Sequence, residues 1–330
     1  MIKILANDGI DHSGKELLEK AGITVITDKV AQDALAEFIN RQQIAGLLVR
    51  SATTARKEFI DACPGLKFIG RGGVGIDNID ADYARSKGIH VFNTPAASSQ
   101  AVAELVMSLF FAAARGVYDA GAHMPSGGHE QFEGLKRKYA KGIELRGKTL
   151  GIIGLGRIGQ SLAAYATGCG MHVVFNDSNR KENAEISLGI PALPNDKVTI
   201  ARTGFDELLR VSDFISLHVP KQPDGTAVIG SGEFERMKKG VIISNTARGG
   251  VIDEAALIDA LNSGKVRAAC LDVFVGEPRP SGELLAHPAV IATPHIGAST
   301  LEAQERIGAE LAQQIFEIMQ IAPPTPYTAS

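Results

Sequence analysis

A chain of 330 residues is longer than one hydrophobic core usually serves, so two domains are expected. Its 45% hydrophobic and 22% charged residues are ordinary for a globular protein. With 34 basic and 37 acidic residues the net charge is −3, which gives no general attraction to nucleic acid or to a membrane surface. Aromatic residues make up 5% and tryptophan is absent, which argues against stacking platforms for bases.

The start, Met1-Ile-Lys-Ile-Leu-Ala, lacks the apolar core of a signal peptide and reads as a strand, Ile2–Ala6. Ser13–Ala21 reads as a helix, Thr24–Thr27 as a strand, and Gln32–Asn40 as a helix with Ala34, Leu35 and Phe38 on its apolar face. Gly46–Val49 is a short apolar strand. Lys67–Ile69 and His90–Phe92 are two more, with the helix Ala81–Ser86 between them. Regular alternation of strand and helix predicts a parallel, doubly wound sheet. Gly72-Gly73-Val74-Gly75 follows a strand without completing G-x-G-x-x-G. Two readings stay open for it, a plain tight turn or a loop whose bare N–H groups hold a small anion.

After Asn93-Thr94-Pro95 a long amphipathic helix is expected over Ser98–Arg115, because Pro95 discourages helix before it and Ser98 or Ser99 can cap it. Its most apolar part, Ala101–Ala114, carries Glu104 and is too short to span a bilayer. Gly116–Gly147 reads as irregular and polar, with Pro125, Gly127-Gly128 and the basic cluster Lys136-Arg137-Lys138. It is expected as a loop or as a segment packed on a partner subunit.

Lys148–Asp177 is the most informative stretch. The apolar run Thr149–Ile153 reads as a buried strand ending in Gly154-x-Gly156-x-x-Gly159. A helix, Arg157–Thr167, and a second strand, His172–Asn176, lead to Asp177. A dinucleotide site needs each piece. Gly154 allows the tight turn, Gly156 lets a pyrophosphate approach the backbone, and Gly159 lets the helix pack close to the strand. The helix N-terminus offers N–H groups and a positive dipole end to the phosphates. Asp177 stands where a carboxylate accepts bonds from the adenosine ribose hydroxyls and repels a 2′-phosphate. Arg180 lies near, but beside that like charge, so NAD is expected rather than NADP.

Later strands are expected at Phe214–His218, Val241–Asn245, Arg267–Leu271 and Val290–Ala292. Helices are expected at Phe205–Arg210, Gly232–Lys238 and Glu254–Ser263, with a last one at Thr300–Met319. That last helix has no remaining strand to join, so it is expected to return to the first domain. The tail Ala322-Pro-Pro-Thr-Pro is expected to be disordered. The architecture is then α/β, with two doubly wound parallel-sheet domains. A discontinuous, flavodoxin-like substrate domain takes residues 1–97 and 299–330, and an inserted Rossmann NAD-binding domain takes residues 98–298. The crossings near Ser98 and near Gly297 would form a hinge, and the gap between domains the binding cleft. Cys63, Cys169 and Cys270 show no metal-type spacing, so no metal is expected. They read as reduced thiols in a cytoplasmic protein, each a small core residue.

Three chemistry candidates lie on loops after second-domain strands: Arg248 in N-T-A-R-G-G-V-I-D, Glu277 in D-V-F-V-G-E-P, and His295 in A-T-P-H-I-G-A-S-T. Loops at the carboxyl ends of an open parallel sheet converge on the ligand. Their types fit hydride transfer from an alcohol. A histidine takes the hydroxyl proton, a carboxylate on its other nitrogen fixes the tautomer, and an arginine grips the substrate carboxylate.

With these blocks intact, from Leu47 through Thr300, the sequence resembles the D-isomer-specific 2-hydroxyacid dehydrogenase family. It is most similar to the phosphoglycerate dehydrogenase branch, through Val49–Thr53 (V-R-S-A-T), Gly70–Asp80 (G-R-G-G-V-G-I-D-N-I-D) and the basic segment at Arg137. The resemblance implies Arg248, Glu277 and His295 as the catalytic set. It implies cofactor contacts at Arg157, Ile158, Asp177, Thr246, Ala247, Asp272, Gly297 and Ala298. The expected cofactor set also takes in Gly154, Gly156, Gly159, His218, Val219, Pro220, Arg248 and His295. The substrate carboxylate is expected at the N–H groups of Val74 and Gly75, with Arg248 and His295.

Arg50 and Arg71 are further cations, just after first-domain strands, and Arg137 would reach the same cleft from a second subunit, as the resemblance suggests. Three guanidinium groups exceed the needs of a lactate-sized ligand and fit a phosphate. The alternative is that Arg50 and Arg71 only pair with carboxylates such as Asp77 or Asp80. Gly121–Glu130 departs from the family by being longer. The chain also ends where longer relatives add a regulatory domain, so serine feedback is not expected.

Two function classes follow. The first is an NAD-dependent dehydrogenase of a small D-2-hydroxy acid, with 3-phospho-D-glycerate as first candidate and a glyoxylate or hydroxypyruvate reductase as alternative. It would be a homodimer or tetramer with no nucleic-acid or membrane partner. The second is a nicotinamide-sensing, corepressor-like binding protein, against which the phosphate-type arginines argue.

Overall fold

The computed structural model describes residues 2–190, 192 and 195–324, and two compact units divide the chain, residues 1–98 with 298–330 and residues 99–297. The first unit runs β1 (Lys3–Ala6), α1 (His12–Lys20), β2 (Thr24–Ile26), α2 (Leu35–Gln42), β3 (Gly46–Val49), α3 (Lys57–Ala62), β4 (Phe68–Arg71), α4 (Ala81–Ser86) and β5 (His90–Asn93). It is closed by α13 (Leu301–Met319). Its strands form one parallel sheet in the order β2-β1-β3-β4-β5. Alternation along each strand sends side chains to two cores. Leu5, Leu47, Val49 and Ile69 meet Leu35, Ile39, Phe59 and Ile60 on one face. Ile4, Leu48 and Phe68 meet Leu18 and, from α13, Ile307, Leu311, Ile315 and Phe316 on the other. Helices α1 and α13 approach through two glycines, since a Cβ on Gly14 would lie 2.6 Å from the backbone of Gly308.

The second unit holds α5 (Ser99–Arg115), α6 (Val117–Gly127), α7 (Phe132–Lys138), β6 (Thr149–Ile153), α8 (Arg157–Gly168), β7 (His172–Asn176), β8 (Ala184–Ser187) and β9 (Lys197–Arg202). It continues through α9 (Phe205–Val211), β10 (Phe214–Leu217), α10 (Ser231–Arg236), β11 (Val241–Asn245), α11 (Glu254–Asn262), β12 (Val266–Leu271), α12 (Gly282–Ala286) and β13 (Val290–Ala292). The sheet order is β13-β12-β11-β10-β6-β7-β9-β8, parallel except for the β8–β9 hairpin. From β6 the chain winds first to one side and then to the other, so the switch point lies between β6 and β10.

The expectation of irregular chain over Gly116–Gly147 is corrected, because α6 and α7 occupy much of it. Neither helix buries a residue within the unit, so the segment carries no one-sided apolar pattern, and Pro125 sits inside α6. The α5 core is the opposite case, with Val102, Val106, Met107, Leu109 and Phe110 all buried. Among the described residues no single helix is long and apolar enough to cross a membrane. Of the tail, Ala322–Pro324 are irregular chain, and Thr325 onward lies outside the described residues.

Candidate active site

The glycines of the β6–α8 turn are where geometry requires them. Gly154 has φ +92°, and a Cβ there would lie 2.6 Å from the carbonyl oxygen of His218. A Cβ on Gly159 would lie 2.3 Å from the carbonyl oxygen of Gly154. Gly156 faces open space, and no side chain caps the helix it begins, so the first N–H groups of α8, from Arg157 and Ile158 onward, are left for an anion. These residues fit a dinucleotide pyrophosphate. Asp177 ties the turn to β7: Leu155 N donates to its Oδ2 and Asn179 N to its Oδ1, each at 2.8 Å. Each carboxylate oxygen keeps a second acceptor site for a ribose hydroxyl.

His218, Val219 and Pro220 follow β10 across the switch point. His218 Nε2 lies 2.9 Å from Ser216 Oγ. Burial pushes this imidazole down to about 4, so it is neutral at pH 7. Its Nδ1, Ser244 Oγ and Thr246 Oγ1 are buried with no hydrogen-bond partner among the described residues. Buried polar atoms without partners are rare, and their gathering at the carboxyl edge of β10 and β11 fits a polar ligand there.

The loops after β11, β12 and β13 are neighbours because their strands are. Asn245 folds the first: its Nδ2 donates to Arg248 O at 2.8 Å and its Oδ1 accepts from Ala247 N at 3.0 Å. Arg248 Nη1 donates to Ala247 O at 2.6 Å. A Cβ on Gly249 would lie 1.9 Å from Phe274 O, so this loop packs directly on the next. There Phe274 N donates to Glu277 Oε1 at 2.8 Å, and Glu277 Oε2 lies 2.8 Å from His295 Nδ1. A carboxylate only accepts, so the proton sits on Nδ1 and Nε2 is free to take another.

His295 has φ +55°, the left-handed region, which histidine enters more readily than most residues but which is uncommon outside glycine and is held here by outside support. Asp272 supplies that support. Only 1% exposed, it accepts from Thr293 Oγ1 at 2.6 Å and from Ile296 N and Gly297 N at 2.8 Å. The sequence suggests Asp272 only through the resemblance, as a cofactor contact. This bracing role of Asp272, and that of Asn245, lay outside what the motif spelling reveals.

In the first unit Gly73 has φ +139°, and its N–H donates to Thr94 Oγ1 at 2.8 Å. Asn93 Nδ2 donates to the carbonyl of Val74. These braces hold the Gly72–Gly75 loop, whose Val74 and Gly75 N–H groups have no acceptor among the described residues. Arg71, 9% exposed, ends β4 with Nη2 3.4 Å from Ser51 Oγ, and its Nη1 would lie 2.7 Å from a Cβ on Gly73. Asp80 is taken by Arg56 at 2.8 Å and by Lys57 N at 2.9 Å. Arg137 is exposed in the last turn of α7. Ala298 falls in the first unit, one residue past Gly297. The thiols are not nucleophiles: burial pushes Cys63 up to about 11 and Cys270 up to about 12.

A doubly wound sheet with this glycine cradle at its switch point, and a carboxylate-braced histidine on the same edge, defines the class of NAD-dependent α/β dehydrogenases. Residues 107–297 match the model of the D-isomer specific 2-hydroxyacid dehydrogenase NAD-binding domain. The chain belongs to that family, whose cofactor is NAD. Over 320 residues it is 42% identical to the D-3-phosphoglycerate dehydrogenase of Methanocaldococcus jannaschii, covering 97% of this chain and 58% of that protein. Over 324 residues it is 43% identical to the hydroxypyruvate reductase of Thermotoga maritima, covering 97% of this chain and 99% of that one. A glyoxylate reductase from Paecilomyes thermophila has the same fold, with a TM-score of 0.81, 30% identity and 98% of each chain covered. The chain thus spans little more than half of the first relative and nearly all of the second.

Proposed function

We propose that this chain oxidises 3-phospho-D-glycerate to 3-phosphohydroxypyruvate, a step of serine biosynthesis in the cytosol. Bound NAD supplies the acceptor for the hydride of the C–H bond. His295 Nε2 takes the hydroxyl proton, and Glu277 balances the imidazolium charge through Nδ1. Arg248 grips the substrate carboxylate, with the Val74 and Gly75 N–H groups as its further donors. Gly154, Gly156, Arg157, Ile158, Gly159 and Asp177 would hold the dinucleotide, with further contacts expected from His218–Pro220, Thr246, Ala247, Asp272, Gly297 and Ala298.

The observation that carries the phosphate is Arg71, a nearly buried guanidinium beside Gly73, with Arg50 one residue past the neighbouring strand. Asp80, one of the two alternative partners, is engaged by Arg56. Losing one charged hydrogen-bond partner typically costs about 1.5–3 kcal/mol. Arg50→Ala or Arg71→Ala should therefore cut kcat/KM for 3-phosphohydroxypyruvate by roughly ten- to a hundredfold and leave the weaker reaction with hydroxypyruvate nearly unchanged. Equal losses on both substrates would overturn the phosphate assignment. The second reading, a hydroxypyruvate or glyoxylate reductase, is favoured by 43% identity over 99% of the Thermotoga maritima protein. Wild-type preference for the unphosphorylated acid in a panel of 2-keto acids with NADH would establish it.

A homodimer completes the reading, with tetramers formed from such pairs. Phe111, Val117, Tyr118 and Phe132 on α5–α7 are 45%, 58%, 61% and 54% exposed, an apolar face that suits a second copy. Arg137 of α7 would then serve the partner's substrate site.

A further inference from the structure

In the first unit's sheet β1 lies beside β3, and the chain runs outward from them in both directions. Ligands of such sheets usually enter the crevice where the loops after these two strands part. Here protein bridges the crevice. Asp8 follows β1 and its side chain is 5% exposed. Its Oδ2 accepts from Arg50 N at 2.7 Å and from Thr53 N at 3.0 Å. Its Oδ1 accepts from the Thr53 hydroxyl at 2.7 Å and from the Lys29 ammonium.

The same hydroxyl accepts from Asn7 Nδ2 at 2.9 Å and from Lys29 Nζ at 3.2 Å, so its one proton and both lone pairs are used. Asn78 Nδ2 donates to Arg50 O at 2.8 Å and to Thr53 O at 2.6 Å. The loop is thus fastened through N–H and C=O at both ends, with exposed Ser51 and Ala52 between. Burial opposes the charge on Asp8, but the bonds from Lys29, Arg50 and Thr53 together outweigh it and hold the carboxyl below its usual range.

A carboxylate at this edge is out of character for an anion site. Its net effect on the loop explains it: Asp8 stands where a ligand anion would enter and consumes the inward N–H groups of Arg50 and Thr53. We propose that Asp8 and Thr53 are positioning residues for substrate binding. Asp8 fills the switch point as an internal anion, and the fixed loop turns anion capture to the β3–β4 side, onto Arg50, Arg71 and the Val74–Gly75 N–H groups. This rests on the reading above that those groups take the substrate's anions.

The test compares Asp8→Asn, Thr53→Val and Thr53→Ser in the full chain. The wild type's preferred 2-keto acid is established first, and KM, kcat and the NADH dissociation constant are measured for each variant. Asp8→Asn and Thr53→Val should raise KM by about ten- to a hundredfold, with kcat changed less than about threefold and NADH affinity unchanged. Thr53→Ser keeps the hydroxyl and should restore KM. If Asp8→Asn does not fold, the Thr53 pair decides alone. KM within about twofold of wild type in Thr53→Val overturns the proposal. So does a loss shared by kcat and NADH binding that serine does not repair, which a mere loop brace would give. If the preferred acid proves unphosphorylated, the substrate reading fails by itself, while the Asp8 inference still stands or falls on KM for that acid.

Discussion

His295 is held by two residues. Asp272 fixes its backbone from both sides, and Glu277 holds its ring. A positioned general base is typically worth about 10²–10⁴ in rate. His295→Asn should lower turnover by that order while NADH titration still shows binding; wild-type turnover would refute the role. For keto-acid reduction the protonated ring is the proton donor. Glu277→Gln removes the carboxylate that holds the ring, so turnover should fall while NADH still binds. Unchanged turnover would count against the pairing.

His218 gives a second pH effect. Its folded value, about 4, lies below the ordinary histidine value of 6.5, so the folded state refuses a proton that the unfolded chain accepts. The contribution to stability is therefore complete above pH 6.5 and is lost as the pH falls toward 4. Denaturant titrations from pH 7 to pH 5 should show falling stability, and His218→Asn should flatten that slope. An identical slope in the variant would show that another group carries it.

At the scale of elements, legibility followed burial. The strands Thr149–Ile153 and Val241–Asn245 were readable to the residue because each is a buried run, and His172–Asn176 and Val290–Ala292, only partly buried, because each is a short apolar run closed by polar residues or proline. Helices α6 and α7 were not, since nothing inside the unit buries them. The β8–β9 hairpin had no expectation at all. Its alternation is short, with Ala184 and Ile186 buried against exposed Glu185 and Ser187.

The site divides similarly. The spacing around the glycines reveals Gly154, Gly156, Gly159 and Asp177. The contact of Glu277 with His295 depends on two loops meeting across strands, which spacing alone does not contain. Asp177 tests the reading of the second strand's end. Its carboxylate, fixed by two backbone N–H groups, should favour NAD over NADP by at least about tenfold in kcat/KM, roughly 1.4 kcal/mol. Equal efficiency with both would refute that preference.

For the whole molecule, the α5–α7 face is the feature that a single chain leaves unexplained. Val117→Asp with Phe132→Asp should shift sedimentation toward the monomer if that face joins two copies, and an unchanged species would place the contact elsewhere. Folding of the single chain carries its own constraint. The second unit is one uninterrupted stretch, whereas the first needs α13 to cover Ile4, Leu48 and Phe68. During synthesis the part begun first is therefore finished last. The nascent first unit must wait, with one sheet face covered only in part, by α1, until the inserted unit and then α13 have emerged. A fragment of residues 99–297 should unfold cooperatively on its own. Residues 1–297 should bind an apolar dye through that half-covered face until α13 is supplied.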